Sequence, residues 1–167
     1  MFAGTAVLSL AGLWIYRRCY VDDAYITLRF CRNWLAGHGV VWNIGERVEG
    51  YSNFLYLALT TAVGWFGVDI VAASRIVSLA AYIALFLFVV WWIGRATRRT
   101  RVSLTETVTL SLFALTLHPL LIWTVAGLEG ALFVLWLTVA VWLFAGALAG
   151  EGRGTLIGVA FALATMT

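Results

Sequence analysis

Charged residues are scarce in this sequence. They make up 11% of its 167 residues, and hydrophobic residues make up 63%. Soluble domains carry about 25% charged residues, which is far more than this chain has. The composition therefore argues against an ordinary soluble domain and predicts an integral membrane protein.

Lysine is absent, and the formal net charge of +3 results from 11 arginines against 8 acidic residues. The arginines are scattered between apolar runs instead of forming a basic patch, which argues against nucleic acid as a partner. Cys19 and Cys31 are the two cysteines, and no Cys-x-x-Cys or His/Cys cluster could hold zinc. Two free thiols are the simpler expectation, with a disulfide between them as the alternative.

Long runs that are nearly free of charge predict transmembrane helices, because about 20 apolar residues are needed to cross a bilayer. These runs are residues 1–16, 76–94, 107–128 and 130–150. A further apolar run begins at Gly154 and stops at Thr167, in the middle of the expected helix. A helix cannot end in lipid with unsatisfied carbonyl groups. We therefore expect a fragment of a longer all-α, polytopic helix bundle.

Residues 53–68 are mostly apolar but barely long enough to span a bilayer. Tyr51, Tyr56 and Trp65 are residue types that favour the membrane interface. An interfacial or re-entrant helix is therefore favoured over a true span.

Arginine predicts the orientation of the chain in the membrane. Residues 95–101 (RATRRTR) are rich in arginine, as cytoplasmic segments are. Residues 17–75, one span earlier, would then be extracytoplasmic. If residues 53–68 crossed the membrane, this segment would be cytoplasmic, an orientation that Arg17 and Arg18 favour.

Nearly half of the charged residues lie in residues 17–52. On a helical wheel of residues 22–36, one face is apolar and consists of Ala24, Leu28, Cys31 and Leu35, widened by Phe30 and Trp34. The opposite face is polar and consists of Asp22, Tyr25, Arg29, Arg32 and Asn33, while Asp23 falls toward the apolar edge. This pattern predicts an amphipathic helix that lies on the membrane with its apolar side down. The simplest roles for its charges are helix capping by Asp22 and contact with lipid phosphates by the arginines.

The segment that follows, HGVVWNIGERVEGYSNF (residues 38–54), combines glycines and turn formers with alternating charge. Glu46, Arg47 and Glu49 predict internal salt bridges, and Asn53 ends a polar exit from the segment. We expect these four residues to support a well-folded loop.

Residues 21–54 (VDDAYITLRFCRNWLAGHGVVWNIGERVEGYSNF) resemble the first external loop of bacterial GT-C glycosyltransferases. These are polytopic enzymes that take a sugar from a polyprenyl phosphate. The pattern of Asp-Asp, amphipathic helix, Gly-His-Gly and Asn-x-Gly-Glu-Arg-Val-Glu is similar to that of the mycobacterial-type terminal β-(1→2) arabinofuranosyltransferases. The end of the loop, at residues 50–53, differs from the corresponding part of those enzymes, so the resemblance does not determine which sugar is transferred.

The resemblance implies that residues 1–167 are the N-terminal part of a GT-C transmembrane domain in the bacterial inner membrane. Residues 17–52 would be the first extracytoplasmic loop and would carry the catalytic motif. The implied donor is a polyprenyl-phosphate-linked sugar, and the implied acceptor is a cell-envelope glycan or lipid.

The resemblance also implies an inverting transfer, in which a loop carboxylate takes the proton of the acceptor hydroxyl and positive charge stabilises the departing phosphate. It assigns the base to Asp22, with Asp23 as the second choice. It assigns binding of the donor to Arg29, Arg32 and Tyr25. The two aspartates could instead hold Mg²⁺ or Mn²⁺ together with the donor phosphate, although some members of the class work without a metal.

Two further polar residues, His118 and Glu129, lie near the next expected external turn. Ionisable groups at this depth of a membrane protein are candidates for function, and both could join the donor site. The simpler alternatives are a polar residue beside a proline kink for His118 and a helix-start glutamate for Glu129.

A lipid or sugar transporter, with an ion or anion site at the Asp-Asp/Arg segment, is the alternative function. Transporters are typically built from inverted repeats with Gly- or Pro-broken helices, whereas this chain has one proline and no visible repeat. A small structural membrane subunit is a third possibility, but it would not need the polar loop.

Overall fold

The computed structural model describes residues 2–46, 48–97, 103–106, 108, 118–152 and 154–167. Within these ranges the chain is helical and has no strand, in agreement with the predicted all-α class. Seven helices of eight residues or more occur there: α1 (Phe2–Tyr16), α2 (Asp22–Leu35), α3 (Phe54–Gly64), α4 (Ile70–Thr97), α5 (His118–Val125), α6 (Gly130–Leu148) and α7 (Gly154–Thr165).

Two of the described helices are long and apolar enough to cross a membrane, namely α4 over Ile70–Trp92 and α6 over Gly130–Leu148. They coincide with the predicted spans at 76–94 and 130–150. In the predicted span at 107–128, residues 107 and 109–117 lie outside the described residues, and α5 occupies part of the rest. Helices α1 and α7, with 15 and 12 residues, are shorter than a typical span.

Helix α4 begins at Ile70, earlier than the residue 76 predicted from hydropathy. The cause is Asp69, whose Oδ1 accepts hydrogen bonds from the backbone N–H groups of Val71 at 3.0 Å and Ala72 at 3.2 Å. These bonds satisfy two of the four N–H groups that a helix start leaves unpaired. The added turns bring the polar residues Ser74 and Arg75 into the helix.

Helix α3 has 11 residues and is about 16 Å long, roughly half the thickness of a bilayer core. At its start, the N–H of Leu55 donates to the carbonyl of Met166, at the end of α7 (2.7 Å). At its end, Gly64 faces Leu35 of α2 and Ile70, the first residue of α4. The end of α3 therefore lies near the start of α4, and the short length of α3 favours the interfacial or re-entrant helix over a span.

The apolar face of α2 packs on protein rather than on lipid. Leu28, Phe30 and Cys31 are at most 1% exposed, and they form a cluster with Leu57 of α3 and Ile70 of α4. Burying one large apolar side chain contributes about 1.5–3 kcal/mol. The sequence identified this face correctly, but the expectation that it rests on the membrane surface was wrong, because α3 and α4 cover it.

One end of the bundle gathers segments that are distant in sequence. The hydroxyls of Tyr20 and Ser74, near the start of α4, lie 2.9 Å apart, and the N–H of Val21 donates to the carbonyl of Ala126 (3.2 Å). We call this the loop end, since the described residues between 17 and 53 lie here. Arg95, near the other end of α4, is exposed and separated from the loop end by most of a 28-residue helix. The loop and Arg95 thus lie at opposite ends of α4, as the predicted orientation requires.

The two cysteines are free. Cys19 is exposed, whereas Cys31 is fully buried and its thiol contacts the carbonyl oxygen of Leu57 at 3.5 Å. Burial also raises the pKa of Cys31, so less of it is in the reactive thiolate form.

We therefore predict that a membrane-impermeant maleimide labels Cys19 on intact spheroplasts and leaves Cys31 unmodified. The Cys19→Ser variant is the control and should lose the label. Labelling that appears only after permeabilisation would place the loop end in the cytoplasm and contradict the predicted orientation.

Candidate functional site

Asp22 and Asp23 are the first two residues of α2, and both are exposed. The N-cap is Val21, and no side chain caps the helix, so the capping role expected for Asp22 is not observed. Neither carboxylate makes a hydrogen bond or ion pair with another described residue. Their position in the first turn still suits the helix dipole. Both carboxylates can therefore accept a proton or bind a cation.

The start of α2 is held by its neighbours and not by its aspartates. Besides the bond from Val21 to Ala126, the ring of Tyr20 lies directly against Gly127. Gly127 has a φ of 82°, and a Cβ atom there would overlap the Tyr20 ring. Glycine is therefore required both for its conformation and for the close approach. This contact places Asp22 beside the turn between α5 and α6.

Tyr20 links this turn to the polar face of α2. Burial raises the pKa of Tyr20, and its hydroxyl forms a hydrogen bond with the Ser74 hydroxyl. Tyr25, a predicted donor-binding residue, packs edge-on against Tyr20 with ring centres 5.1 Å apart, and it is 48% exposed. Tyr25 thus presents part of its ring on the same face as Asp22.

Glu129 lies at the loop end, where it is joined to α2 through Asn53. The Asn53 amide donates to Glu129 Oε2 at 2.9 Å and to Thr27 Oγ1 at 3.0 Å, and the Thr27 hydroxyl lies 3.3 Å from Asn53 Oδ1. Asn53 and Thr27 are both buried. The structure therefore brings Glu129 and the Asp-Asp helix into one network, and the role of Glu129 in donor binding stays a prediction.

The two arginines of α2 differ in their surroundings. Arg29 donates from Nε to the carbonyl of Trp42 (3.0 Å) and from Nη2 to Asn43 Oδ1 (2.7 Å), with its guanidinium 4.2 Å from the Trp42 ring centre. It therefore fastens the loop to α2. Arg32 is exposed and has no polar partner among the described residues, so its charge is available to a ligand.

The loop is held mainly by amide side chains. Asn33 donates to the carbonyls of Val41 and Trp42 at 2.7 and 3.0 Å. Glu46, expected to form a salt bridge, accepts from the Asn43 amide at 3.0 Å. Glu49 is exposed beside a loop cavity. The predicted site residues Arg47 and the side chain of His118 lie outside the described residues.

Arg75 was not identified from the sequence. It lies in the second turn of α4, where its guanidinium is 5.4 Å from the ring centre of Tyr20. Its Nε is buried and has no hydrogen-bond partner among the described residues. A cation in the first turns of an apolar helix is itself a signal of function. The signal was missed because the helix was expected to begin only at residue 76.

A cavity of about 450 Å³ opens beside Glu129. Its walls include Ser52 from the loop, Trp123 from α5, Phe133 from α6 and Thr165 from the end of α7. The cavity therefore lies where the loop meets three helices, at the same end of the bundle as Asp22.

In the described part of the chain, no three His, Cys, Asp or Glu side chains are grouped so that they could hold a metal ion. Asp22 and Asp23 alone offer two carboxylates. A magnesium or manganese ion there would need oxygen ligands from water and from a phosphate to complete its coordination.

Comparison with known proteins gives a partial match. The chain is 38% identical over 89 residues to the terminal beta-(1->2)-arabinofuranosyltransferase of Mycobacterium tuberculosis (strain ATCC 25618 / H37Rv). The match covers 53% of this chain but only 14% of that enzyme. No family model and no solved structure matches the chain.

The Asn53 network predicts a measurable coupling. Asn53→Ala should lower the free energy of unfolding by about 1–3 kcal/mol, because it leaves buried polar groups unpaired. The loss of stability in the double variant Asn53→Ala/Thr27→Val should differ from the sum of the losses in the two single variants by roughly 0.5–3 kcal/mol. The measurement is a double-mutant cycle in which unfolding by denaturant is monitored in detergent.

Thr61→Val provides the matched control. Thr61 is also buried on α3, about 12 Å along the helix from Asn53, and its hydroxyl bonds the carbonyl of Leu57 at 2.8 Å. Asn53→Ala and Thr61→Val should therefore be additive. Additivity for Asn53 and Thr27 as well would contradict the network.

Proposed function

We propose that this chain is part of a membrane glycosyltransferase of the GT-C class. It moves a sugar from a polyprenyl-phosphate donor to a glycan or lipid acceptor of the bacterial cell envelope. The observation that carries the proposal is the pair of exposed carboxylates at the start of α2, which have no partner among the described residues and are held at the loop end by the contacts of Tyr20 and Val21. The partial identity with an arabinofuranosyltransferase supports a glycosyltransferase and makes arabinofuranose the first sugar to test.

In the proposed reaction, Asp22 accepts the proton of the acceptor hydroxyl as its oxygen attacks the anomeric carbon. The bond between that carbon and the phosphate oxygen breaks, and the polyprenyl phosphate leaves with the electron pair. A single displacement inverts the anomeric centre. Asp23, the next residue on the helix, is the second choice for the base.

The departing phosphate needs a positive partner. Arg32 offers an exposed guanidinium on the face of α2 that carries Asp22. Arg75, which is partly buried on α4 beside Tyr20, offers a second positive charge. Arg29 contributes chiefly by holding the loop, although its remaining nitrogen can reach a ligand. If a metal takes part, Asp22 and Asp23 would hold Mg²⁺ or Mn²⁺, whose charge would assist the phosphate to leave.

The apolar part of the donor needs a different surface. A groove of about 420 Å³ between α3, α4 and α6 is lined entirely by apolar residues, including Leu59, Val77 and Leu132. Such a groove suits a prenyl chain. In this proposal α4 and α6 cross the inner membrane, and the loop end is extracytoplasmic.

A lipid or sugar transporter is less well supported. The described helices α4 and α6 run for 28 and 19 residues without interruption. Transporters typically place their ion and substrate sites at interrupted helices near the middle of the bilayer, whereas the polar groups here gather at one end of the bundle.

The direct test is Asp22→Asn in the full-length protein, assayed by transfer of labelled sugar from polyprenyl phosphate in nanodiscs. The amide cannot take a proton, so transfer should fall by roughly 10²–10⁴-fold. Asp69→Asn is the matched control. Asp69 caps α4, and because asparagine caps about as well as aspartate, this variant should transfer sugar normally.

A normal rate for Asp22→Asn with loss only in Asp23→Asn would exchange the roles of the two residues. Normal rates for both variants would show that the motif is not catalytic.

A further inference from the structure

The cavity beside Glu129 has two kinds of wall. Trp123 and Phe133 are 48% and 42% exposed, so much of each ring is available to a ligand. The Trp123 ring lies directly against Gly130, which leaves no room there for a side chain and holds the ring in place. The polar wall is formed by Ser52, Glu129 and Thr165.

Glu129 is oriented before any ligand binds. Asn53, which is buried, holds Oε2, while Oε1 has no partner among the described residues. One oxygen is therefore fixed and the other can accept further hydrogen bonds. Fixing the carboxylate in advance lowers the entropy cost of binding.

The charge of the cavity selects its ligand. Among the described residues that line it there is one carboxylate and no arginine. A phosphate would be repelled by Glu129, whereas a neutral molecule with several hydroxyl groups can donate to it. The C–H faces of a sugar ring can pack on Trp123 and Phe133, and a cavity of this size is in the range of about 300–1,000 Å³ typical of small-ligand sites.

We propose that this cavity binds an uncharged sugar ring, that Glu129 accepts hydrogen bonds from its hydroxyl groups, and that Asn53 is the positioning residue for Glu129. The inference rests on the proposed glycosyl transfer, and it assigns Glu129 to the sugar of a substrate instead of to a phosphate or a metal. The sugar could belong to the donor or to the acceptor, since both present the same hydroxyl chemistry.

Binding can be measured without transfer. Methyl arabinofuranoside and methyl glucopyranoside serve as probes in saturation-transfer NMR on the full-length protein in nanodiscs. At least one should bind the wild type, and both Glu129→Gln and Trp123→Leu should weaken its binding by about tenfold or more. Trp91→Leu is the control, because Trp91 is 47% exposed but lies toward the opposite end of α4, so binding should be unchanged.

Inorganic phosphate should not displace the bound sugar. Three results would each overturn the inference: phosphate displaces the sugar, the Glu129→Gln variant binds the sugar as tightly as the wild type does, or neither sugar binds to the wild type. Sugar binding without any transfer would support this site and count against the proposed function, whereas transfer without sugar binding would do the reverse.

Steady-state kinetics distinguishes the two sources of the sugar. Glu129→Gln should raise KM with little change in kcat, for the donor if the cavity holds the donor sugar and for the acceptor if it holds the acceptor. Asn53→Ala should raise the same KM, because it releases Glu129 without removing it. If neither KM changes, the site does not bind a substrate sugar.

Discussion

The arrangement of the loop end depends on the buried amide of Asn53. This side chain bonds Glu129, at the start of α6, and Thr27, in the middle of α2, and so joins segments that are 76 and 26 residues away in sequence. An amide buried away from water costs free energy unless its hydrogen bonds are made. Moving α2 away from α6 would break these bonds, so the loop and the bundle keep one relative position.

Asp22 and Asp23 need no partner in the described part of the chain, because other groups hold the start of α2. The backbone of Val21, the ring of Tyr20 against Gly127 and the Tyr20–Ser74 contact fix its position. Arg29, two turns further along α2, fastens the loop to the helix. Asp22 and Asp23 are thus exposed on a rigid support, which suits groups that must meet a substrate more than groups that stabilise a fold.

Local patterns in the sequence predicted the local features, namely the apolar helices α4 and α6 and the two faces of α2. These patterns did not predict the structural features that depend on a single contact or on contacts between segments distant in sequence. Asp69 extends α4 by capping it, which brought Arg75 into the helix. The packing of α3 and α4 over α2, and the bond from Asn53 to Glu129, join elements whose proximity no periodicity reveals. In the loop, Glu46 accepts a hydrogen bond from the Asn43 amide, and the salt bridges that the charge pattern predicts stay a prediction, because Arg47 lies outside the described residues.

The central claim is that Asp22 acts as a base in a single displacement and never becomes bonded to the sugar. The most direct test is the anomeric configuration of the product made by the full-length protein from a donor of known configuration, determined by NMR of the anomeric proton. The account predicts inversion. Retention would require a covalent intermediate or a different mechanism, and it would contradict the role given to Asp22.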